Sequence, residues 1–140
     1  MIADQYYRRE GSKTTTFVNV PTRRMGARLK NGQLVYVDIL VIDDRNRVKK
    51  AVEVETVVDD ECTPRLIVAS RIAPSLDIYV VDGYGEKTRR ILEHQHTSHA
   101  SILEYYFTPL GRLIVKPVTE PAGPEQVRQF RSVTVQDRQL

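Results

Sequence analysis

The chain has 140 residues, 41% hydrophobic and 28% charged, the make-up of an ordinary globular domain with enough length for a single core. No run approaches the ~18 apolar residues of a membrane span, the start MIADQYYRRE lacks the apolar stretch of a secretory signal, and a lone Cys62 excludes an intrachain disulfide, so a cytoplasmic (intracellular) location is expected. The net charge of +3 is unevenly spread: residues 1–50 hold eleven Lys/Arg against five Asp/Glu (+6), residues 51–80 two against six (−4), and residues 81–140 eight against seven (+1).

Taken in chain order, ADQYYRR (3–9) suits a short helix ending before Gly11. The β-branched TTTFVNV (14–20) predicts a strand stopped by Pro21. RRMGARLKNGQ is a polar connection in which Asn31-Gly32 favours a hairpin turn. LVYVDILVI (34–42) is the strongest strand pattern in the chain, DDRNR is a turn, and VKKAVEVETV (48–57) is a second strand. Thr63 and Pro64 then open a helix that runs to Pro74. LDIYVV (76–81) predicts a short buried strand, and Glu86 to about His96 a helix with its acid in the first turn. SILEYYF (101–107) and RLIVKPV (112–118) predict strands joined through Thr-Pro-Leu-Gly. This order implies an α/β domain around a mixed sheet, residues 1–118, with a right-handed strand–helix–strand crossover from 48 to 81. Residues 119–140 form a polar C-terminal extension, an arm suited to docking on a partner subunit.

The stretch 36–56 carries the chemistry. A hairpin centred between Arg45 and Asn46 pairs residues whose numbers sum to 91, so Asp43 faces Val48 and Asp38 faces Glu53. Alternation along the strands then puts Asp38, Leu40, Ile42, Ala51, Glu53 and Glu55 on one face, with Glu55 roughly 7 Å beyond Glu53. A slip of one residue would separate the acids, so the arrangement depends on the turn. Like charges opposed across a sheet repel, and carboxylates beside Val and Ile resist desolvation. Three reliefs are open: protonation, Arg or Lys partners on a solvated face, or a divalent cation. Oxygen-rich sites with two or three carboxylates suit Mg²⁺ or Mn²⁺.

An Asp at the start of one strand, followed fifteen residues on by Glu-x-Lys in the next strand of a hairpin, is the signature that this pattern resembles. It belongs to the PD-(D/E)XK restriction-endonuclease-like nuclease superfamily. The following helix (64–73), strand (76–81) and helix (86–96) extend the likeness over about residues 3–96. The resemblance implies a mixed β-sheet flanked by helices, a metal-dependent endonuclease acting on DNA, and Mg²⁺ (or Mn²⁺) as cofactor; a homodimer is expected from the C-terminal arm and an edge strand at 101–107 open to pairing. It implies that Asp38 and Glu53 hold the metal, that the backbone carbonyl of Val54 completes the coordination, and that Glu10 is the acid of an amino-terminal helix. Two departures stand out. Val37 replaces the Pro, and Glu55 occupies the place of the Lys. A Glu there cannot stabilise developing negative charge; it could accept a proton from water or hold a second metal. The alternative is a nuclease-shaped protein without catalysis, serving as a nucleic-acid-binding or assembly subunit.

Arg8, Arg9, Arg23, Arg24, Arg45, Arg47, Lys49 and Lys50 are the expected nucleic-acid contacts, since guanidinium groups match phosphate with a planar fork of donors. Lys49 falls on the acids' face but roughly 13 Å from Glu53 by strand rise. His94, His96 and His99 are close in sequence, but His94 and His96 cannot share a helix face, so a solvated helix end is expected rather than a metal centre. Asp82-Gly83-Tyr84-Gly85 lacks the remaining residues of a phosphate loop and reads as a turn. Tyr105, Tyr106 and Phe107 read as core or dimer-interface residues.

Overall fold

A computed structural model describes residues 2, 6, 14–21, 36–59, 63–95, 97 and 99–119. Six strands follow one another across one sheet in sequence order: β1 (Thr14–Pro21), β2 (Tyr36–Asp43), β3 (Val48–Glu55), β4 (Leu76–Val81), β5 (Ala100–Phe107) and β6 (Leu113–Thr119). Helix α1 (Thr63–Ile72) links β3 to β4, and α2 (Gly85–His94) links β4 to β5. The β1–β2, β2–β3 and β5–β6 pairs are antiparallel, whereas β3–β4 and β4–β5 are parallel. The architecture is therefore an α/β fold with a mixed sheet, the class expected from the order of elements. The expected helix at 3–9 apart from Tyr6, the Asn31-Gly32 turn and the extension beyond Thr119 lie outside the described residues.

The two parallel connections each need a helix to return the chain, because parallel neighbours cannot be joined by a tight turn. Alternation gives the sheet two faces. One carries Leu40, Ile42, Ala51, Ile78, Val80 and Ile102, packed against Leu66, Ala69 and Ile72 of α1 and Leu92 of α2. The other gathers Ile39, Val41, Val52, Tyr79 and Tyr105 around Tyr6. With side chains buried on both faces, β4 reads as the near-continuous apolar run LDIYVV. Within it sits one acid, Asp77, 6% exposed. Asp77 accepts a hydrogen bond from the Tyr6 hydroxyl at 2.6 Å and lies 3.4 Å from Lys50 Nζ, and Tyr6 also meets the Tyr79 hydroxyl at 2.8 Å. Burial first, and then the Asp77 charge, keeps the Tyr6 hydroxyl firmly protonated and so a donor.

The β2–β3 register follows the expected sum over Ile39↔Val52, Leu40↔Ala51 and Val41↔Lys50. Toward the turn it changes. Ile42, not Asp43, is opposite Val48, and Lys49 is the extra residue of a bulge. The cause lies in the loop. The Asp43 carboxylate accepts the N–H groups of Arg45 and Arg47, both at 2.9 Å, and Asn46 adopts the left-handed conformation (φ 62°). This side-chain-supported turn is longer than the tight one assumed from the sequence. The bulge confines the slip to the turn end and keeps Ile39↔Val52, the last ladder pair before the acids, in the expected register.

Candidate functional site

Asp38 lies near the start of β2, and Glu53 and Glu55 near the end of β3. β3 runs parallel to β4 and β5, so the acids occupy the carboxyl end of the parallel strands. Open α/β sheets bind their ligands outside that end. The β2–β3 ladder gives its last pair at Ile39↔Val52, and the chain beyond is held differently. Oδ2 of Asp38 accepts the backbone N–H of Val54 at 2.7 Å. A side chain thus satisfies a main-chain donor in place of a ladder partner.

Glu53 is 1% exposed and hydrogen-bonded to the Asp38 carboxyl. Burial, followed by the charges of Asp38 and Glu55, pushes its pKa up to about 10. It therefore carries a proton at neutral pH. Glu55 is 4% exposed, and its Oε2 accepts Arg65 Nη2 at 2.7 Å. Burial still raises its pKa, with Arg65 opposing the rise. Arg65 also opposes the rise at Glu53, so one guanidinium acts on both glutamates. Among the described residues, Glu53 Oε1 and Glu55 Oε1 are buried without a hydrogen-bond partner. Such atoms cost about 1–3 kcal/mol each unless something meets them.

The structure brings Asp38, Glu53 and Glu55 into one neighbourhood, but Glu55 is drawn to Arg65. Among the described residues no group of three or more His, Cys, Asp or Glu is placed to hold a metal together. The basic residues divide. Lys49 is exposed in the bulge and Arg45 in the turn. Arg47 pairs with Asp43 at 2.8 Å. Lys50 is on the opposite sheet face, over the Tyr6 ring at 5.6 Å. Arg8, Arg9, Glu10, Arg23 and Arg24 lie outside the described residues. Val54 contributes its N–H to Asp38 as described.

The histidines do not form a centre: His94 is exposed, His96 lies outside the described residues, and His99 Nε2 is 2.9 Å from the Ser70 carbonyl. Asp82 pairs with Lys116 at 2.7 Å in the turn before α2, where Gly83 takes φ +96°. Tyr105 is buried, while Tyr106 and Phe107 are 42% and 50% exposed.

Arg65 is the residue that reading the sequence missed. Its signal was available: it is the second residue after Thr63 in a helix that returns across the face bearing the acids, so its long side chain can reach the end of β3. Neither a protein-family model, nor a curated protein, nor a solved structure matches the chain. Among the described residues no helix is long and apolar enough to cross a membrane.

Proposed function

We propose that this protein is a metal-dependent nuclease of the PD-(D/E)XK restriction-endonuclease-like type, hydrolysing phosphodiester bonds in DNA. The observation that carries the reading is the pairing of half-buried Asp38 with buried Glu53 at the end of the β2–β3 hairpin, with Glu53 Oε1 lacking a partner among the described residues. The order hairpin, helix, strand, helix, which extended the resemblance from the motif to its surroundings, is the order β2, β3, α1, β4, α2.

The residues fit a hard divalent cation. Carboxylate oxygens suit Mg²⁺ or Mn²⁺, and Mg²⁺ is commonly held by one or two carboxylates with water and phosphate completing its shell. Asp38 and Glu53 would hold it. When bound, the cation polarises the scissile phosphate and lowers the pKa of a water. The chain's own residues do the rest. The Val54 N–H fixes the Asp38 carboxylate. Glu53 would have to release its proton to solvent to serve as a ligand, and Glu55 Oε1 would be the acceptor for a proton from the attacking water. The test is cleavage of duplex, flapped, branched and single-stranded DNA with Mg²⁺ or Mn²⁺. Asp38→Ala and Glu53→Ala should abolish it. Cleavage undiminished in both variants refutes the assignment.

One observation favours a second reading. Glu55 stands where the resemblance has a Lys, and it is engaged by Arg65. That arrangement also suits a nuclease-shaped subunit that binds nucleic acid without cutting it. Calorimetry with Mn²⁺ separates the two: binding abolished by Asp38→Asn supports the nuclease, and no binding at all supports the subunit.

A further inference from the structure

We infer that Arg65 is a phosphate-binding residue of this site, holding Glu55 in the free protein and exchanging that carboxylate for a backbone phosphate of bound DNA. The inference rests on the nuclease-like reading above and adds to it the residue that receives the substrate.

The argument begins with an imbalance of charge. A polyanion cannot approach Asp38, Glu53 and Glu55 unless positive charge meets it there. The strand supplies none, because position 55 is Glu. Lys50, on β3, faces the other side of the sheet with Asp77 and Tyr6. Lys49 and Arg47 stand at the turn end of the hairpin, away from the acids. Arg65 comes from a different element, the first turn of α1, and its guanidinium reaches Glu55.

The exposures of the two partners differ in a way that bears on exchange. The Arg65 side chain is 45% exposed and that of Glu55 only 5%. The pair therefore sits at the boundary of the site, with the carboxylate inside and the guanidinium open to solvent. A guanidinium offers five N–H donors in a planar fork, and the contact described uses Nη2. Donors on the same group can engage a phosphate in the two-bond geometry that carboxylate and phosphate share. A buried structural pair would have both ends enclosed; this one has an accessible cation over an enclosed anion. The long, half-exposed side chain leaves the guanidinium free to reorient toward solvent.

The experiment is fluorescence anisotropy with an end-labelled DNA duplex, in EDTA so that nothing is cut, over a series of salt concentrations. The proteins are wild type, Arg65→Ala, Arg65→Lys, Glu55→Gln and the Arg65→Ala/Glu55→Gln double variant. The double variant carries no unpaired buried carboxylate at position 55, so it reports on binding even where Arg65→Ala folds poorly. Loss of Arg65 should weaken binding about tenfold and reduce the slope of log K against log salt by about 0.9, the value for one phosphate contact. Arg65→Lys should keep the slope and lose part of the affinity, and Glu55→Gln should bind at least as tightly as wild type. Affinity and slope unchanged in both Arg65→Ala and the double variant overturn the inference. If cleavage still depends on Asp38 and Glu53 in that case, the nuclease reading survives it. A wild-type protein that binds no duplex also overturns the inference, while the nuclease reading is then decided by its own cleavage test on the other DNA forms.

Discussion

Glu53→Gln should make the metal-free protein more stable at neutral and mildly alkaline pH, and should flatten its stability against pH. Glu53 has a folded-state pKa of about 10 against an ordinary value of 4.5. The folded protein thus keeps a proton that the unfolded chain releases above 4.5. For an acid shifted upward, the stability is fully present below the unfolded value and is lost as pH rises toward the folded one. Each pH unit in that window removes about 1.4 kcal/mol. Between pH 5.5 and 7.5 the loss from this one group is roughly 3 kcal/mol, a large part of a total that is typically 5–15 kcal/mol. Glutamine has nearly the same shape, cannot ionise, and can donate its amide to Asp38 in place of the carboxyl proton.

The other shifted carboxylates do not confuse the measurement. Asp82 is held low by Lys116 and Glu86 by Arg89, and at Asp43 desolvation is outweighed by hydrogen bonds from Arg47 and Arg45. Their contributions are present above the ordinary carboxylate values and are lost only as pH falls below them. Glu55, raised by burial, slopes in the same direction as Glu53 but is retained in the variant. The assay is urea unfolding in EDTA, followed by circular dichroism at pH 5.5, 6.5, 7.5 and 8.5, with wild type and Glu53→Gln in parallel. The gap between them should widen with pH. Parallel curves refute the reasoning, because they mean that Glu53 titrates alike in the folded and unfolded chains.

Other expectations follow from the same geometry. Mn²⁺ binding measured by calorimetry should release close to one proton near neutral pH, seen as a heat that varies with buffer ionisation, and Glu53→Gln should remove that release. Arg65→Ala leaves the buried Glu55 without its partner and should cost about 1–2 kcal/mol, discounted for the exposure of Arg65; Glu55→Gln in the same chain should recover much of it in chemical unfolding. Tyr6→Phe removes the hydroxyl that donates to Asp77 and should cost about 1.5–3 kcal/mol, with limited proteolysis reading out any loosening of the amino-terminal segment. Gly85→Ala places a Cβ 2.5 Å from Glu104 Oε1 and 3.0 Å from Val118, while Glu104 is held by the Gly83 N–H at 2.6 Å. The crowding should lower stability by about 1–3 kcal/mol.

The sheet was legible because its strands are strongly patterned. LVYVDILVI and VKKAVEVETV could hardly form anything else, and the Thr63-Pro64 start fixed the helix that makes β3 and β4 parallel neighbours. The proximity of Asp38 and Glu53 followed from one assumption about the turn. That assumption failed at Asp43 and held at Ile39, because the bulge at Lys49 absorbed the difference. What sequence patterning alone did not single out was long-range side-chain pairing. Arg65 meets Glu55 across ten residues of chain and two elements. Lys50 meets Asp77 on the opposite face, where a contact with phosphate had been expected of it. Period-two alternation assigns Lys50 to a face but does not say whether that face is solvated, and here Tyr6 and Asp77 occupy it.

Each of the three carboxylates solves its electrostatic problem differently, and the differences bear on what could bind. Asp38 is satisfied by a backbone N–H, Glu53 by a proton, and Glu55 by a guanidinium. The backbone bond belongs to the architecture of the hairpin end and is costly to break, so Asp38 is the fixed point. The proton and the guanidinium are not so bound. A cation can displace the first, since a metal ligand must be deprotonated. A phosphate can draw away the second, since Arg65 is open to solvent and binds both oxyanions in the same geometry. Protonation and arginine pairing, two of the reliefs open to buried acids, need not be alternatives to metal binding. In this site they are what a cation and a phosphate would replace, and the replacement of each is measurable separately: proton release for one, a salt slope for the other.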